Sequence, residues 1–434
     1  MHDGRHQKSG QTPTAARILK FPPSFQISLR GSTMSEKFAP GAPPAADVIP
    51  LIVPEIRGNE WRYVKECLDT GWVSSVGSYV DRFEQMVAKQ AGTKYAVATV
   101  NGTSALHIAL LVAGVMPEDE VLVSTLTFIA PANAIRYAGA WPVFIDAEPD
   151  YWQMNPEQVV EFLEQGCRWN NGALYNSRTR RRVAAILPVH VLGHPVDLDP
   201  ILKIAEKYGL KVIEDATEGL GATYKGRHLG SLGDFGCFSF NGNKIITTGG
   251  GGMLVTDNEE WARKAKYLTT QAKDDPIEYI HGEVGFNYRL TNLLAAVGCA
   301  QMEQLDNYVG KKRKIASRYC EALRHLTGVI PMKNAPWAES TFWMYTILID
   351  EGEFRANSRQ LMSALGSLKI QCRPLWQPIH KSPAHASSYV VELPVAETLA
   401  RQALSLPCSV GLSESDQDTV IAALLELVRS AKLP

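Results

Sequence analysis

Two rhythms of apolar residues alternate along most of the chain. Short apolar runs over 95–100, 120–124 and 142–145 have the length and bounding residues of strands, and stretches with apolar positions three and four apart follow over 103–113 and 131–137. The turn pair Asn101-Gly102 separates the first strand from its helix, and Asp146 closes the third strand. After an irregular stretch around 168–182 the pattern resumes with a strand over 183–191, a helix over 198–208 stopped by Gly209, and strands over 211–214 and 235–240. Two further helices precede these elements, 59–68 with Trp61, Val64 and Leu68 on one face, and 79–90. Such alternation predicts an α/β fold, a mainly parallel sheet flanked by helices. Ligands of open α/β sheets bind beyond the carboxyl ends of the strands. The residues just after each strand are therefore where chemistry is expected.

Beyond position 290 the character changes: helices over 291–305 and 313–323, strand-like segments over 344–349 and 369–372, and a last helix over 416–429. These segments predict a smaller α+β domain at 306–434 beside a large domain at 47–305, and a chain of 434 residues is too long for a single core. Residues 1–46 are rich in His, Gly, Ser, Pro and Arg and lack the apolar stretch of a secretory signal. They are expected to be disordered, with Met34 as the true start. No repeat is visible, which excludes a solenoid or propeller.

An apolar fraction of 45% and a charged fraction of 21% are those of a globular protein. A formal charge of −1 gives no long-range field to gather nucleic acid or anionic lipid, and the run Arg178, Arg180, Arg181, Arg182 reads as a solvated loop. Seven scattered cysteines, odd in number and without a C-x-x-C pair, point away from a zinc site or disulfide framework and fit a reducing cytoplasm. No run approaches the roughly 20 apolar residues of a membrane span. Neither a membrane nor a metal is expected as a partner.

Four strand-end features carry the candidate chemistry. Asn101-Gly102-Thr103-Ser104 closes a strand and opens a helix, where free N–H groups and hydroxyls suit a phosphate, although a plain helix cap explains the segment equally well. Asp215 ends a strand expected to be buried on both faces, where a carboxylate needs a cationic partner or a structural salt bridge. Ser239 lies in the strand Cys237-Phe238-Ser239-Phe240, and Lys244 follows in a polar loop before Thr247-Thr248-Gly249-Gly250-Gly251-Gly252. Taken singly each has a bland explanation. Together, N-G-T-S, then E-D-A, then S-F-x-x-x-K with the lysine 29 positions beyond the aspartate, resemble the DegT-type sugar aminotransferases, which are fold type I pyridoxal-phosphate enzymes. The resemblance runs from about Ile49 to the last helix.

It implies a mainly parallel seven-stranded sheet and a role for each matching residue. Lys244 would hold pyridoxal 5'-phosphate as a Schiff base and later shuttle the proton, and Asp215 would keep the pyridine nitrogen protonated. Thr103, Ser239 and the backbone at Ser104 would bind the phosphate, and Phe128, in Thr127-Phe128-Ile129-Ala130-Pro131, would stack on the ring. Glu218 stands where relatives carry Gln or His against the ring hydroxyl. Asn287, in Gly285-Phe286-Asn287-Tyr288-Arg289-Leu290-Thr291, matches a residue that reaches the phosphate of a neighbouring subunit, which implies a homodimer with shared sites. Arg289 is expected to be structural or near the substrate. Trp72 and Ser74, in Trp72-Val73-Ser74-Ser75, with His190, Arg313 and His380, match positions around the sugar and nucleotide.

The opening from Val53-Pro54 to Gly77 and the run Trp152-Gln153-Met154 look most like the nucleotide-sugar 4-aminotransferases of legionaminic acid biosynthesis. That branch implies a UDP-linked 4-keto-6-deoxy-N-acetylglucosamine acceptor and glutamate as donor, with perosamine-forming enzymes and a GDP-linked acceptor as the alternative. Relatives that deoxygenate sugars carry histidine at the position of Lys244, so dehydration is disfavoured. A regulator retaining the fold would have no chemical need for the whole constellation. A nicotinamide enzyme is set aside because no G-x-G-x-x-G follows the first strand.

Overall fold

A computed structural model describes residues 47–275 and 277–430; the extension and start site expected at residues 1–46 lie outside them. Among the described residues seven strands form the body of a ten-stranded central sheet: β1 Tyr95–Thr99, β2 Glu120–Ser124, β3 Trp141–Ile145, β4 Arg182–Leu187, β5 Lys211–Asp215, β6 Phe235–Ser239 and β7 Gly252–Thr256, with the short Tyr389–Val390 parallel to β3 at one edge. Their spatial order is β1-β7-β6-β5-β4-β2-β3. The five strands from β6 to β3 run parallel. β7 is antiparallel to both of its neighbours. Val121, Leu122, Val123, Ile186, Leu187, Ile213, Phe235 and Cys237 are all buried, because helices cover both faces of the sheet. The α/β architecture is the one expected.

Helices supply the crossovers that parallel strands require. The first two, α1 Glu60–Thr70 and α2 Ser78–Ala91, precede the sheet; α3 Gly102–Val112 joins β1 to β2, and α4 Ala130–Tyr137 joins β2 to β3. Both α1 and α2 stop at a left-handed glycine, Gly71 and Gly92, a position that a residue with a Cβ occupies at a cost. Toward the C-terminus a separate antiparallel sheet of Val329–Pro331, Tyr345–Ile349 and Ala403–Leu406 packs with the long helix Leu305–Leu323. No helix among the described residues is long and apolar enough to cross a membrane.

Several local expectations need correction. The stretch read as irregular forms a hairpin, Cys167–Asn170 with Ala173–Asn176, that extends the sheet beside β4. The arginines after it are not simply solvated. Arg182 pairs with Asp119, and Arg181 lies 4.4 Å over the Trp141 ring, whose other cationic contact is Arg136 at 3.7 Å. The strand expected over 183–191 ends at Leu187, since Pro188 interrupts it and a turn with Leu192 at φ 60° follows. Segment 369–372 makes only an isolated bridge, Ile370 with Ile49, and Arg373 just after it makes another with Ser405.

Candidate active site

A cavity of about 290 Å³ opens beyond the carboxyl ends of β1, β5 and β6. It collects residues far apart in sequence: Gly102 and Thr103, Phe128, Asp215, Ser239 and Lys244 all line it. At the start of α3 the Asn101 side chain accepts the Ser104 N–H at 2.8 Å, and the Asn101 carbonyl accepts that of Ala105 at 3.2 Å. A helix start then leaves the N–H groups of Gly102 and Thr103 as donors, at the positive end of the helix dipole. The helix start also approaches the sheet very closely. A Cβ on Gly102 would stand 2.8 Å from the Ser239 Cβ, and one on Gly252 of β7 would stand 2.4 Å from the Asn101 backbone. Glycine at both places lets Thr103 and Ser239 face one cradle.

Asp215 closes β5 with 2% of its surface exposed, and its carboxylate accepts the Thr217 N–H at 3.1 Å. Burial pushes its pKa up, opposed by hydrogen bonds from Thr217 and by the charge of Lys244. Such a carboxylate at the edge of a cavity calls for a cation that arrives from the cavity side. The Lys244 ammonium lies 4.2 Å from the centre of the Trp343 ring and 3.6 Å from Glu218 Oε1. Burial raises the Glu218 carboxyl to about 7, while Lys244 and the Leu192 N–H pull it down in part. Trp343 is locked in turn by donating Nε1–H to the Asn243 carbonyl at 2.7 Å.

The remaining site candidates are placed differently. Phe128 lines the cavity with 54% of its surface exposed. Ser104 is buried, and its N–H is committed to the Asn101 cap. His190 is fully buried, with Nε2 3.0 Å from Glu214 Oε2 and Nδ1 accepting the Val196 N–H at 3.1 Å. His380 bridges Thr125 Oγ1 at 2.8 Å and Glu397 at 3.1 Å, which straps the loop leading to Phe128. Arg313 donates to the carbonyls of Ser340, Gly221 and Glu339. Trp72, Ser74 and Asn287 are exposed and do not line this cavity. Arg289 is buried, bonded to Glu84 at 2.7 Å and to the Ala98 carbonyl. Sequence reasoning missed Thr217, Asn241, Asn243, Trp343 and Trp376, all of which line the cavity. Thr217 had a signal, its place two residues beyond Asp215; the tryptophans had none.

The donor set fits pyridoxal phosphate on chemical grounds. A helix start with hydroxyls suits the phosphate, a buried carboxylate suits the ring nitrogen, and a half-buried lysine amine suits the aldehyde. Residues 54–425 match the DegT/DnrJ/EryC1/StrS aminotransferase family, and the chain belongs to that family. It is therefore a pyridoxal-phosphate-dependent aminotransferase of the kind that acts on nucleotide sugars. The GDP-perosamine synthase of Caulobacter vibrioides is 41% identical over 87% of this chain and 97% of its own length. A putative pyridoxal phosphate-dependent aminotransferase of Bacillus subtilis, EpsN, is 40% identical over 88% of this chain and 96% of its own. Among solved structures, DesV of S. venezuelae in complex with a ketimine intermediate superposes with a TM-score of 0.77 at 31% identity, covering 85% of this chain and 94% of that one.

Proposed function

We propose that this chain transfers the amino group of glutamate to the keto carbon of a nucleotide-linked 4-keto-6-deoxy sugar, for surface-polysaccharide or nonulosonic acid synthesis. The observation that carries the reading is the convergence of Lys244, Asp215 and the Thr103–Ser239 cradle on one cavity. Relatives named GDP-perosamine synthase at 41%, 39% and 35% identity favour a GDP-linked acceptor over the UDP-linked N-acetylated sugar expected from sequence.

When bound, pyridoxal phosphate supplies an aldehyde carbon and a ring that accepts electron density. Around it this chain's residues bind, orient and move protons. Gly102 and Thr103 N–H groups with the Thr103 and Ser239 hydroxyls hold the phosphate, and Asp215 holds a proton on the ring nitrogen. Phe128 would cover the cofactor ring from the cavity wall. The Lys244 amine would be the group that moves a proton between donor and cofactor carbons, and Glu218 Oε1 stands 3.6 Å from it. We assign Trp72, Ser74 and Asn287 to contacts across a homodimer. Their segments are exposed here, with Trp72 at 57% and Val76 at 67%, as expected of a surface meant for a second copy. The enzyme is placed in the cytoplasm, where its scattered thiols stay reduced. We give His190, Arg313 and His380 supporting roles, since their polar atoms are engaged by protein partners.

The test is a panel of GDP-, UDP- and dTDP-linked 4-keto-6-deoxy sugars offered with glutamate. Amination of the GDP-linked sugar at C4 is expected to have the highest kcat/KM. Cofactor-loaded protein that aminates no member of the panel would overturn the reading.

A further inference from the structure

The turn from His190 to His194 stands outside the cavity yet is tied into it. Leu192 and Gly193 both take left-handed backbone, at φ 60° and 81°, unfavourable for leucine. A Cβ on Gly193 would meet Thr341 Oγ1 at 2.2 Å, and its carbonyl accepts from the Thr341 N–H and the Ser340 hydroxyl. From the other side Gln153, 3% exposed, grips the Val191 residue twice: Oε1 accepts its N–H at 2.9 Å and Nε2 donates to its carbonyl at 3.2 Å. Gln153 is itself fixed, because Nε2 also donates to the Tyr151 carbonyl and Glu148 accepts the Gln153 N–H. One group from this turn reaches the site. The Leu192 N–H donates to Glu218 Oε2 at 2.7 Å, which leaves Oε1 toward Lys244 at 3.6 Å.

We propose that Gln153 is a positioning residue for Lys244, acting by holding the Leu192 N–H on one oxygen of Glu218 so that the other oxygen faces the lysine. The inference rests on Lys244 being the cofactor lysine, and it gives the Trp152-Gln153-Met154 run a task. The charged groups that face Glu218 are Lys244 and Asp215, and Lys244 meets Glu218, Asp215 and the Trp343 ring. Slackening the Leu192 bond makes Glu218 a weaker acid, since the N–H stabilises its anion. Less negative charge then stabilises a cationic nitrogen at that position.

The test uses protein loaded with pyridoxal phosphate. Gln153→Met keeps similar volume and removes both hydrogen bonds to Val191 together with the one to the Tyr151 carbonyl. The midpoint of the pH-dependent absorbance change of the bound cofactor is expected to fall by roughly half to one pH unit. In a Glu218→Gln background the same substitution is expected to move it no further. An unmoved midpoint, or an equal shift in the Glu218→Gln background, overturns the proposal; a purely structural role would lower Tm and leave the midpoint in place. Should Gln153→Met fail to fold, Gln153→Asn stays neutral, is one methylene too short to hold both Val191 groups, and carries the same expectation. Wild-type protein without cofactor absorbance would overturn the reading of Lys244 and this inference with it. A normal wild type with an unmoved variant overturns the inference alone.

Discussion

Replacing Glu218 with glutamine is expected to make the cofactor-free protein less sensitive to rising pH. Glu218 is 6% exposed, and burial raises its carboxyl from 4.5 to about 7, only partly offset by Lys244 and the Leu192 N–H. A folded state that holds its proton more tightly than the unfolded chain is favoured below both values. Its stability is lost as pH rises through the window between them. For one group moved from 4.5 to about 7, the loss between pH 5 and 8 is about 2–3 kcal/mol. Glutamine does not titrate, so that loss vanishes from the variant, and any pH-independent cost of depriving Lys244 of a partner cancels in the difference. Urea unfolding of both proteins at pH 5 and 8, at one protein concentration so that assembly contributes equally, measures it. Wild type should lose about 2–3 kcal/mol more than the variant over that interval. Equal losses would refute the argument that Glu218 is buried against its charge.

Three further expectations follow from the same geometry. Asp215→Asn should retain covalently bound cofactor and lower kcat by about two to four orders of magnitude, because breaking a buried charge pair costs roughly 3–5 kcal/mol; single-turnover absorbance measures it. Gly102→Ala places a Cβ 2.8 Å from that of Ser239, and it should weaken cofactor affinity by roughly 5- to 150-fold in equilibrium dialysis without unfolding the protein. Arg313→Ala removes the donor to three carbonyls and should destabilise the fold by about 1–3 kcal/mol in urea unfolding. Its KM for the nucleotide sugar should stay within about twofold, since 1.4 kcal/mol of lost binding would already be tenfold; a large rise would return Arg313 to the nucleotide.

Much of the fold was legible because the parallel strands are short apolar runs with crossovers of helical period. β2 falls where its sequence places it, and α3 and β5 shift by a residue at their ends. The strand-end rule pointed to Thr103, Asp215 and Ser239, which do meet at one cavity. What escaped depends on contacts between distant segments. β7 was lost because it opens on Gly252 inside a glycine run that reads as a loop, yet its glycine is required where the Asn101 backbone crosses. The hairpin beside β4 mixes charged, polar and apolar residues without a clean alternation, and its strongest local signal is the Asn171-Gly172 turn, with both residues at positive φ. Trp343 lies just before a strand-like segment of ordinary core character; only the tertiary fold sets its ring against Lys244 and its partner Trp376 nearly parallel at 6.4 Å. His190 and His380 show the reverse. Their match to family positions suggested a place around the substrate, and in the fold Glu214, Thr125 and Glu397 engage their ring nitrogens.

The proposed chemistry requires Lys244 Nζ to be the nitrogen that joins the cofactor. Borohydride reduction of protein loaded with pyridoxal phosphate, followed by proteolysis and mass analysis of the modified peptide, tests this most directly. One reduced adduct per chain on Lys244, lost in Lys244→Ala, is the expected result. An adduct on another lysine, or no adduct in protein that retains the cofactor, would contradict it.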